Sequence, residues 1–174
     1  RHKDHERRQL SRQIQALLEK VPLLMPLSDE DREKIALEAK IEDYGGGEPI
    51  VHHGQPGDSL YIILNGSCEV LIDQKGLIAK KIATIDKGDF FGEMSLLTGE
   101  ARNATVKALE YATVVRVDKA LFSTFLASNP DIADQLGAVM AQRQQELSLE
   151  ANKTQNNLTV QLKLISRIKA FFGI

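Results

Sequence analysis

Residues 91–105 place a tight turn, one carboxylate and one guanidinium within a span short enough to surround a single small ligand. Gly92 has no Cβ, so the backbone there can turn sharply and approach a ligand closely. The residues after it can form a short helical turn, whose first N–H groups have no partner within the helix and favour an anion. Arg102 adds a planar, permanently charged group that suits two phosphate oxygens.

Glu93 differs from its neighbours, because a carboxylate only accepts hydrogen bonds and does not suit a phosphate. Its natural partner is a hydroxyl, such as the 2′-hydroxyl of a ribose. A ligand with a sugar hydroxyl beside one phosphate therefore satisfies the backbone N–H groups, Glu93 and Arg102 together. The Gly92-Glu93 step alone could be only a turn that enters a helix, and Arg102 alone could be a solvated surface charge. These interpretations do not explain the spacing of the whole segment.

The segment closely resembles the phosphate-binding cassette of the cyclic-nucleotide-binding domain family. Phe-Gly-Glu, Leu-Leu, Gly and Arg-x-Ala-Thr follow one another at the spacing of the family pattern, without a gap. The resemblance implies that Glu93 binds the ribose 2′-hydroxyl and that Arg102 binds the cyclic phosphate of cAMP or cGMP. The ligand-binding residues expected in the cassette are Phe91, Gly92, Glu93, Met94, Ser95, Ala101, Arg102 and Asn103.

Three cassette positions bear on how the ligand is held and which base is preferred. Ser95 stands where Ala is commoner in the family and is expected to add a hydroxyl near the phosphate, whereas Ala101 stands where Pro is frequent. Asn103 occupies a position at which family members that prefer cGMP commonly carry a Thr. Its amide does not exclude guanine. The absence of Thr, together with a similarity to prokaryotic cAMP-responsive channels, favours cAMP over cGMP.

Short segments rich in β-branched residues surround the cassette and predict a small antiparallel β-roll, a jelly-roll-like barrel. Residues 59–64 and 67–72 flank Asn65-Gly66, a pair that indicates a two-residue hairpin. Further strands are expected over residues 50–53, 78–85, 104–108 and 113–118. The stretch from Gly57 to Gly66 also resembles the family; there Gly57 is interpreted as a turn residue and Tyr61 as a core residue.

Helical periodicity on both sides of the roll makes the expected fold class α+β. Apolar spacing predicts a helix over residues 10–21, and Ser28 is expected to cap a second helix with an acidic first turn. A short helix is predicted over residues 119–127. Pro130 is then expected to begin a longer helix that runs to about Glu150. In the family this last helix is the lid that closes over the base of the nucleotide.

Arg143 lies on the predicted lid helix, roughly on the same face as Leu136, Val139 and Met140. An exposed, solvated charge is one interpretation of it. Prokaryotic cyclic-nucleotide-gated potassium channels look most similar here, and their lid arginine lies at the same distance from the cassette arginine. The resemblance therefore implies that Arg143 stacks on the purine, or hydrogen-bonds to it, when the lid closes.

Composition argues against several other classes of protein. The net charge of −2 comes without a basic block, so no nucleic-acid partner is expected. The one cysteine, Cys68, allows no disulfide framework and is expected to pack within a strand. We find no nucleophile elbow, Walker loop or metal-spaced set of histidines and cysteines in the sequence, so neither an enzyme nor a metal or other cofactor is expected.

The expected organisation is an N-terminal helical linker over residues 1–21, the nucleotide-binding domain with its lid over 22–150, and an amphipathic C-terminal helix over 151–174. This layout favours the soluble C-terminal sensor of a bacterial ion channel, joined through its linker to a membrane channel domain and lying on the cytoplasmic side of the membrane. The alternative is a free-standing soluble sensor that recruits a partner protein.

Two further expectations concern outputs and partners. A kinase regulatory subunit would usually carry a second, similar domain, and the sequence shows no internal repeat. The C-terminal helix is expected either to pack on protein, which includes a neighbouring subunit of a homo-oligomer, or to lie on an anionic membrane surface. Protein packing is favoured, because three basic residues give only modest attraction to lipid.

Overall fold

The computed structural model describes residues 2–74, 77–147, 165, 168–169 and 171–172. A helical layer packs on one side of an antiparallel sheet that carries the cassette between two of its strands. The helices are α1 (His2–Leu18), a 3-10 helix (Pro22–Leu24), α2 (Asp29–Glu38), α3 (Glu93–Thr98), α4 (Lys119–Ser128) and α5 (Asp131–Leu147). The strands are β1 (Lys40–Gly45), β2 (Pro49–Val51), β3 (Ser59–Gln74), β4 (Leu77–Asp86), β5 (Phe90–Phe91) and β6 (Thr105–Asp118).

The described strands form one six-stranded sheet in the order β1-β6-β3-β4, with β2 paired to β6 and β5 paired to β3. All of these pairs are antiparallel, so the α+β fold with an antiparallel β-roll is confirmed. Helices α2 and α4 begin where the sequence indicates, whereas the first helix begins at His2 and ends at Leu18 instead of spanning residues 10–21. The Ser28 side chain accepts a hydrogen bond from the Asp31 backbone N–H at 3.1 Å, and Asp118 caps α4 in the same way through Leu121 at 2.9 Å.

The hairpin expected at Asn65-Gly66 is wrong. Strand β3 runs without interruption from Ser59 to Gln74, and its partner β6 is likewise one strand where two were expected. Gly66 has a φ of 85°, but Asn65 does not adopt a positive φ, as the two-residue turn would require. The register shifts on either side of this pair instead mark a bulge, and the Gly66 backbone lies against the Tyr111 carbonyl, where a side chain would not fit.

Alternation along β3 divides the apolar core into two clusters. Leu60, Ile62 and Leu64 face the helical layer and pack with residues of α1, α2, α4 and α5. Tyr61 and Ile63 point the other way, into the roll, where they pack with residues of β2 and β6. The cassette therefore lies between an aliphatic helical cluster and a smaller cluster inside the roll.

The described C-terminal residues pack on this domain. Ile168 is fully buried in the helical cluster, and the Phe172 ring lies 6.0 Å from that of Phe122 in α4. The Lys119 ammonium lies 4.0 Å from the centre of the Phe171 ring. These contacts favour protein packing over a membrane surface for this part of the tail. The rest of the predicted 151–174 helix lies outside the described residues, as do residues 148–150 at the predicted end of the lid.

Candidate functional site

The cassette is a short helix bounded by two glycines in the left-handed region. Strand β5 ends at Phe91, Gly92 follows with a φ of 86°, α3 spans Glu93–Thr98, and Gly99 ends it with a φ of 72°. Leu96 and Leu97 on α3 are fully buried and anchor it in the helical cluster. The N-terminal end of α3 is thereby held at the edge of the roll, where its first N–H groups and the positive end of its dipole can meet an anion.

A cavity of ≈ 220 Å³ opens at this end of the cassette. Its lining brings together all eight residues predicted in the cassette, which are Phe91, Gly92, Glu93, Met94, Ser95, Ala101, Arg102 and Asn103. Val51, Val70 and Val106 add an apolar wall from the roll. A carboxylate, a guanidinium and an apolar surface thus share one small volume, and an apolar lining with a few polar groups is typical of a small-molecule site.

The Arg102 side chain is buried beneath the cassette and only 8% exposed. Its Nη1 donates a hydrogen bond to the Ser59 carbonyl oxygen at 2.9 Å, and its Cζ lies 5.6 Å from the centre of the Tyr61 ring. Burial lowers the pKa of the guanidinium. The charge therefore sits in a partly desolvated place, where an anion would interact with it more strongly than in water.

Two glycines make room for this guanidinium. A Cβ on Gly57 would overlap Nε, Cζ and Nη2 of Arg102, and a Cβ on Gly92 would overlap Nη1. Gly57 has no positive φ, so its lack of a side chain serves close approach and not only the turn that the sequence indicated. The spacing in sequence between residues 57 and 102 gave no signal for this contact.

The backbone around Arg102 is tied to the loop after β2. The Arg102 N–H donates to the Gln55 carbonyl at 2.8 Å, and the Gly54 N–H donates to the Arg102 carbonyl at 2.7 Å. Tyr61 packs against the start of the cassette, since its ring stacks on that of Phe91 with centres 5.1 Å apart. Tyr61 is 6% exposed, so its placement in the core agrees with the sequence prediction.

A family model described as the cyclic nucleotide-binding domain matches residues 41–129. The chain belongs to this family. The matched residues run from β1 through the cassette to the end of α4, and they include every cassette residue that lines the cavity.

Proteins similar to this cyclic-nucleotide-binding domain include cAMP-dependent protein kinase regulatory subunits. The one from Debaryomyces hansenii is 40% identical over 115 residues, which are 66% of this chain and 25% of that protein. The one from Schizosaccharomyces pombe is 35% identical over 118 residues, 68% of this chain and 28% of that protein. The chain thus spans about a quarter of the length of these relatives.

A solved structure supports the fold. The regulatory domain of Toxoplasma gondii PKA, crystallised with cAMP, is 26% identical, with a TM-score of 0.61 over 71% of this chain and 48% of that chain. Within the part of this chain that the structure describes, no helix is long and apolar enough to cross a membrane. The described side chains also include no group of three or more His, Cys, Asp or Glu residues placed to hold a metal ion.

The Ser95 hydroxyl makes a hydrogen bond within the cassette. It donates to the Glu100 carbonyl at 2.8 Å and ties the start of α3 to the loop that follows Gly99. Ala101 and Asn103 are exposed at the mouth of the cavity, whereas Glu93 is half-buried. Asn103 therefore lines the cavity and is open to solvent.

The helix predicted to act as a lid corresponds to α5, and this helix packs on the helical cluster. Leu136 and Met140 are buried in the helical cluster, where α5 contacts α4 and the 3-10 helix. Among the described residues that line the cavity, none belongs to α5. Arg143 falls within α5, but its side chain lies outside those described, so its contact with a base stays a prediction.

Proposed function

We propose that this domain binds cAMP in the cassette cavity and regulates a protein partner. The observation that carries the proposal is the presence of Arg102, Glu93 and the start of α3 on one cavity of ≈ 220 Å³. Arg102 neutralises the cyclic phosphate, the N–H groups at the start of α3 donate to its oxygens, and Glu93 accepts from the ribose 2′-hydroxyl.

A calorimetric titration with cAMP tests this assignment. Removing Arg102 leaves a phosphate without its partner, so Arg102→Ala is expected to weaken cAMP binding by about 2–5 kcal/mol. Arg12→Ala, on an exposed face of α1, is the matched control and should bind as wild type does. Wild-type affinity in Arg102→Ala would contradict the cassette assignment.

Glu93 is tested separately with 2′-deoxy-cAMP. Glu93→Gln should weaken cAMP binding modestly, because an amide oxygen still accepts from a hydroxyl. The same variant should bind 2′-deoxy-cAMP almost as wild type does, since that ligand has no 2′-hydroxyl to lose. An equal penalty for both ligands would mean that Glu93 does not contact the ribose.

The preference for cAMP over cGMP rests on Asn103 and on the names of the similar proteins. Asn103 is exposed at the cavity mouth, and the regulatory subunits from D. hansenii and S. pombe are named for cAMP. Competition of cGMP against bound cAMP measures the preference directly. Tighter binding of cGMP would reverse it, and Asn103→Ala would then show whether this amide reads guanine.

A protein partner is favoured over the channel expected from sequence. The similar proteins are named regulatory subunits of a protein kinase, and none of the proteins reported above is a channel. Size-exclusion chromatography of this chain with a cAMP-dependent protein kinase catalytic subunit tests that output. A complex that dissociates on addition of cAMP is expected; coelution that ignores cAMP, or no complex at all, would contradict it.

Nucleotide binding shifts the position of α5, and Arg143 holds the closed state. A ligand can drive this shift only by binding one position of the helix better than the other. Amide exchange over residues 131–146 should therefore slow when cAMP is added, while residues 60–64 of β3 stay protected in both states. Arg143→Ala should bind cAMP but lose much of the added protection. Full protection in that variant would leave Arg143 without a role in closure.

A further inference from the structure

Ser59 connects the cassette arginine to a second arginine outside the cassette. Its carbonyl oxygen accepts from Arg102 Nη1 at 2.9 Å, while its hydroxyl accepts from Arg116 Nε at 3.0 Å and donates to Asp58 Oδ1 at 3.0 Å. Ser59 is fully buried, so water does not compete readily for these bonds. Arg116 and Arg102 are therefore bonded to the same residue, Arg116 to its side chain and Arg102 to its backbone.

Arg116 is itself held on its other side. It lies in β6, directly opposite Tyr61 of β3 in the sheet register. Its Nη1 lies 3.5 Å from Glu42 Oε2, and the other oxygen of that carboxylate accepts from the Tyr44 hydroxyl at 3.0 Å. A continuous series of polar contacts therefore runs from Tyr44 and Glu42 on β1, through Arg116 on β6, to Ser59 at the start of β3.

We propose that Arg116, acting through Ser59, positions Arg102 for the phosphate of the nucleotide. Arg116 is not among the described residues that line the cavity, so its role is positioning and not ligand contact. Hydrogen bonds to a charged group are among the stronger ones in proteins, and Arg116 fixes the Ser59 hydroxyl while Arg102 uses the carbonyl of the same residue. The proposal rests on the proposed cAMP site.

The planar geometry of the Arg116 guanidinium matters here as well as its positive charge. A lysine at position 116 would keep the positive charge but could not offer an Nε–H and an Nη1–H in one plane to Ser59 and Glu42. A pure effect of positive potential would survive Arg116→Lys, whereas positioning through Ser59 would not. Comparing Arg116→Lys with Arg116→Gln, which also removes the charge, separates the two explanations.

The test is a cAMP titration of four variants beside wild type: Arg116→Gln, Arg116→Lys, Ser59→Ala and the exposed control Arg12→Gln. The first three are expected to weaken cAMP binding by about tenfold, the change that 1.4 kcal/mol produces, while the control is unchanged. Arg116→Gln combined with Ser59→Ala should be no weaker than Ser59→Ala alone, because both substitutions break the same connection.

A spectroscopic measurement keeps the test independent of stability. The side-chain Nε–H resonance of Arg102, assigned by its absence in Arg102→Ala, is recorded without ligand well below the melting temperature of each variant. It should shift in Arg116→Gln and in Ser59→Ala but not in Arg12→Gln. A purely structural role for Arg116 would lower the melting temperature without moving this resonance.

The outcomes distinguish this proposal from the cAMP site on which it rests. Wild-type protein that does not bind cAMP, or Arg102→Ala that binds it normally, would overturn the site itself. Wild-type binding that is lost in Arg102→Ala but retained in Arg116→Gln, with an unmoved Arg102 resonance, would overturn only the positioning role. Wild-type cAMP affinity in Arg116→Lys, beside weakened binding in Arg116→Gln, would likewise overturn the positioning role in favour of a charge effect.

Discussion

The two apolar clusters on either side of β3 differ in how they are held together. The helical cluster is almost entirely aliphatic and joins α1, α2, α4, α5 and Ile168 by packing. The cluster inside the roll is smaller, and beside it Arg102, Ser59 and Arg116 are connected by directed hydrogen bonds. Packing between aliphatic side chains is non-directional and tolerates substitutions that conserve volume, whereas hydrogen bonds depend on distance and angle.

The cassette touches both clusters. Leu96 and Leu97 of α3 are buried in the helical cluster, while Phe91 packs against Tyr61 in the roll. This difference indicates that the helical cluster and the roll cluster have separate roles. Substitutions on the helical side should change mainly the stability of the fold, and substitutions on the roll side should change mainly the binding of nucleotide.

The largest effect is expected for Leu136→Ala on the helical side. Leu136 is fully buried in α5, and truncating a buried leucine typically lowers the free energy of unfolding by about 2–5 kcal/mol. Denaturant unfolding measures this loss. Val139→Ala, at a partly exposed position on the same helix, should cost clearly less. Equal losses for the two would mean that α5 is not packed as described.

On the roll side, Gly57→Ala should weaken nucleotide binding more than it weakens the fold. The added Cβ displaces the Arg102 guanidinium, and a forced methyl in a close-packed place costs about 1–3 kcal/mol, here expected in cAMP affinity. Gly45→Ala is the matched control, because Gly45 likewise has no positive φ, a Cβ there would meet only the Glu48 carboxylate, and the residue is not among those that line the cavity. If both variants lower affinity equally, the Arg102 contact is not responsible.

Cys68 gives the roll cluster a dependence on pH. Burial raises the pKa of its thiol from 9.0 to about 11, so the folded state keeps a proton that the unfolded state loses between these values. The Cys68 contribution is therefore full below pH 9, falls by about 1.4 kcal/mol per pH unit between pH 9 and about 11, and does not change further at higher pH. Unfolding of wild type and Cys68→Val, compared at pH 8 and pH 10, should show the extra loss in wild type alone.

The smallest effect is expected for Lys169→Gln at the edge of the helical cluster. Lys169 Nζ lies 3.4 Å from Asp134 Oδ1, and both side chains are about half exposed. Such a pair contributes about 0.2–1 kcal/mol, and salt screens it. Thermal melting at low and high salt checks this: the difference between variant and wild type should shrink as salt is added. A difference that persists would mean that Lys169 acts through packing.

The sequence by itself determined the local features of this protein. The turn at Gly92, the helical turn that starts at Glu93 and the cap at Ser28 depend on residues within a few positions of one another. Short-range stereochemistry and hydrogen bonding decide such features, so residue types and spacing were sufficient to predict them. Tyr61 was also predicted as a core residue and Cys68 as a residue that packs within a strand, and both are buried in the cluster inside the roll.

Only the tertiary structure decided the features that depend on distant partners. Asn65-Gly66 became a bulge and not a hairpin, because β6 pairs with β3 on both sides of it. Gly57 proved to be a place of close approach, and Ser59 came to join Arg102 to Arg116, because pairing of β3 with β6 brings these segments together. Pairing across forty residues or more is set by the register of the whole sheet, which no short stretch of the sequence encodes.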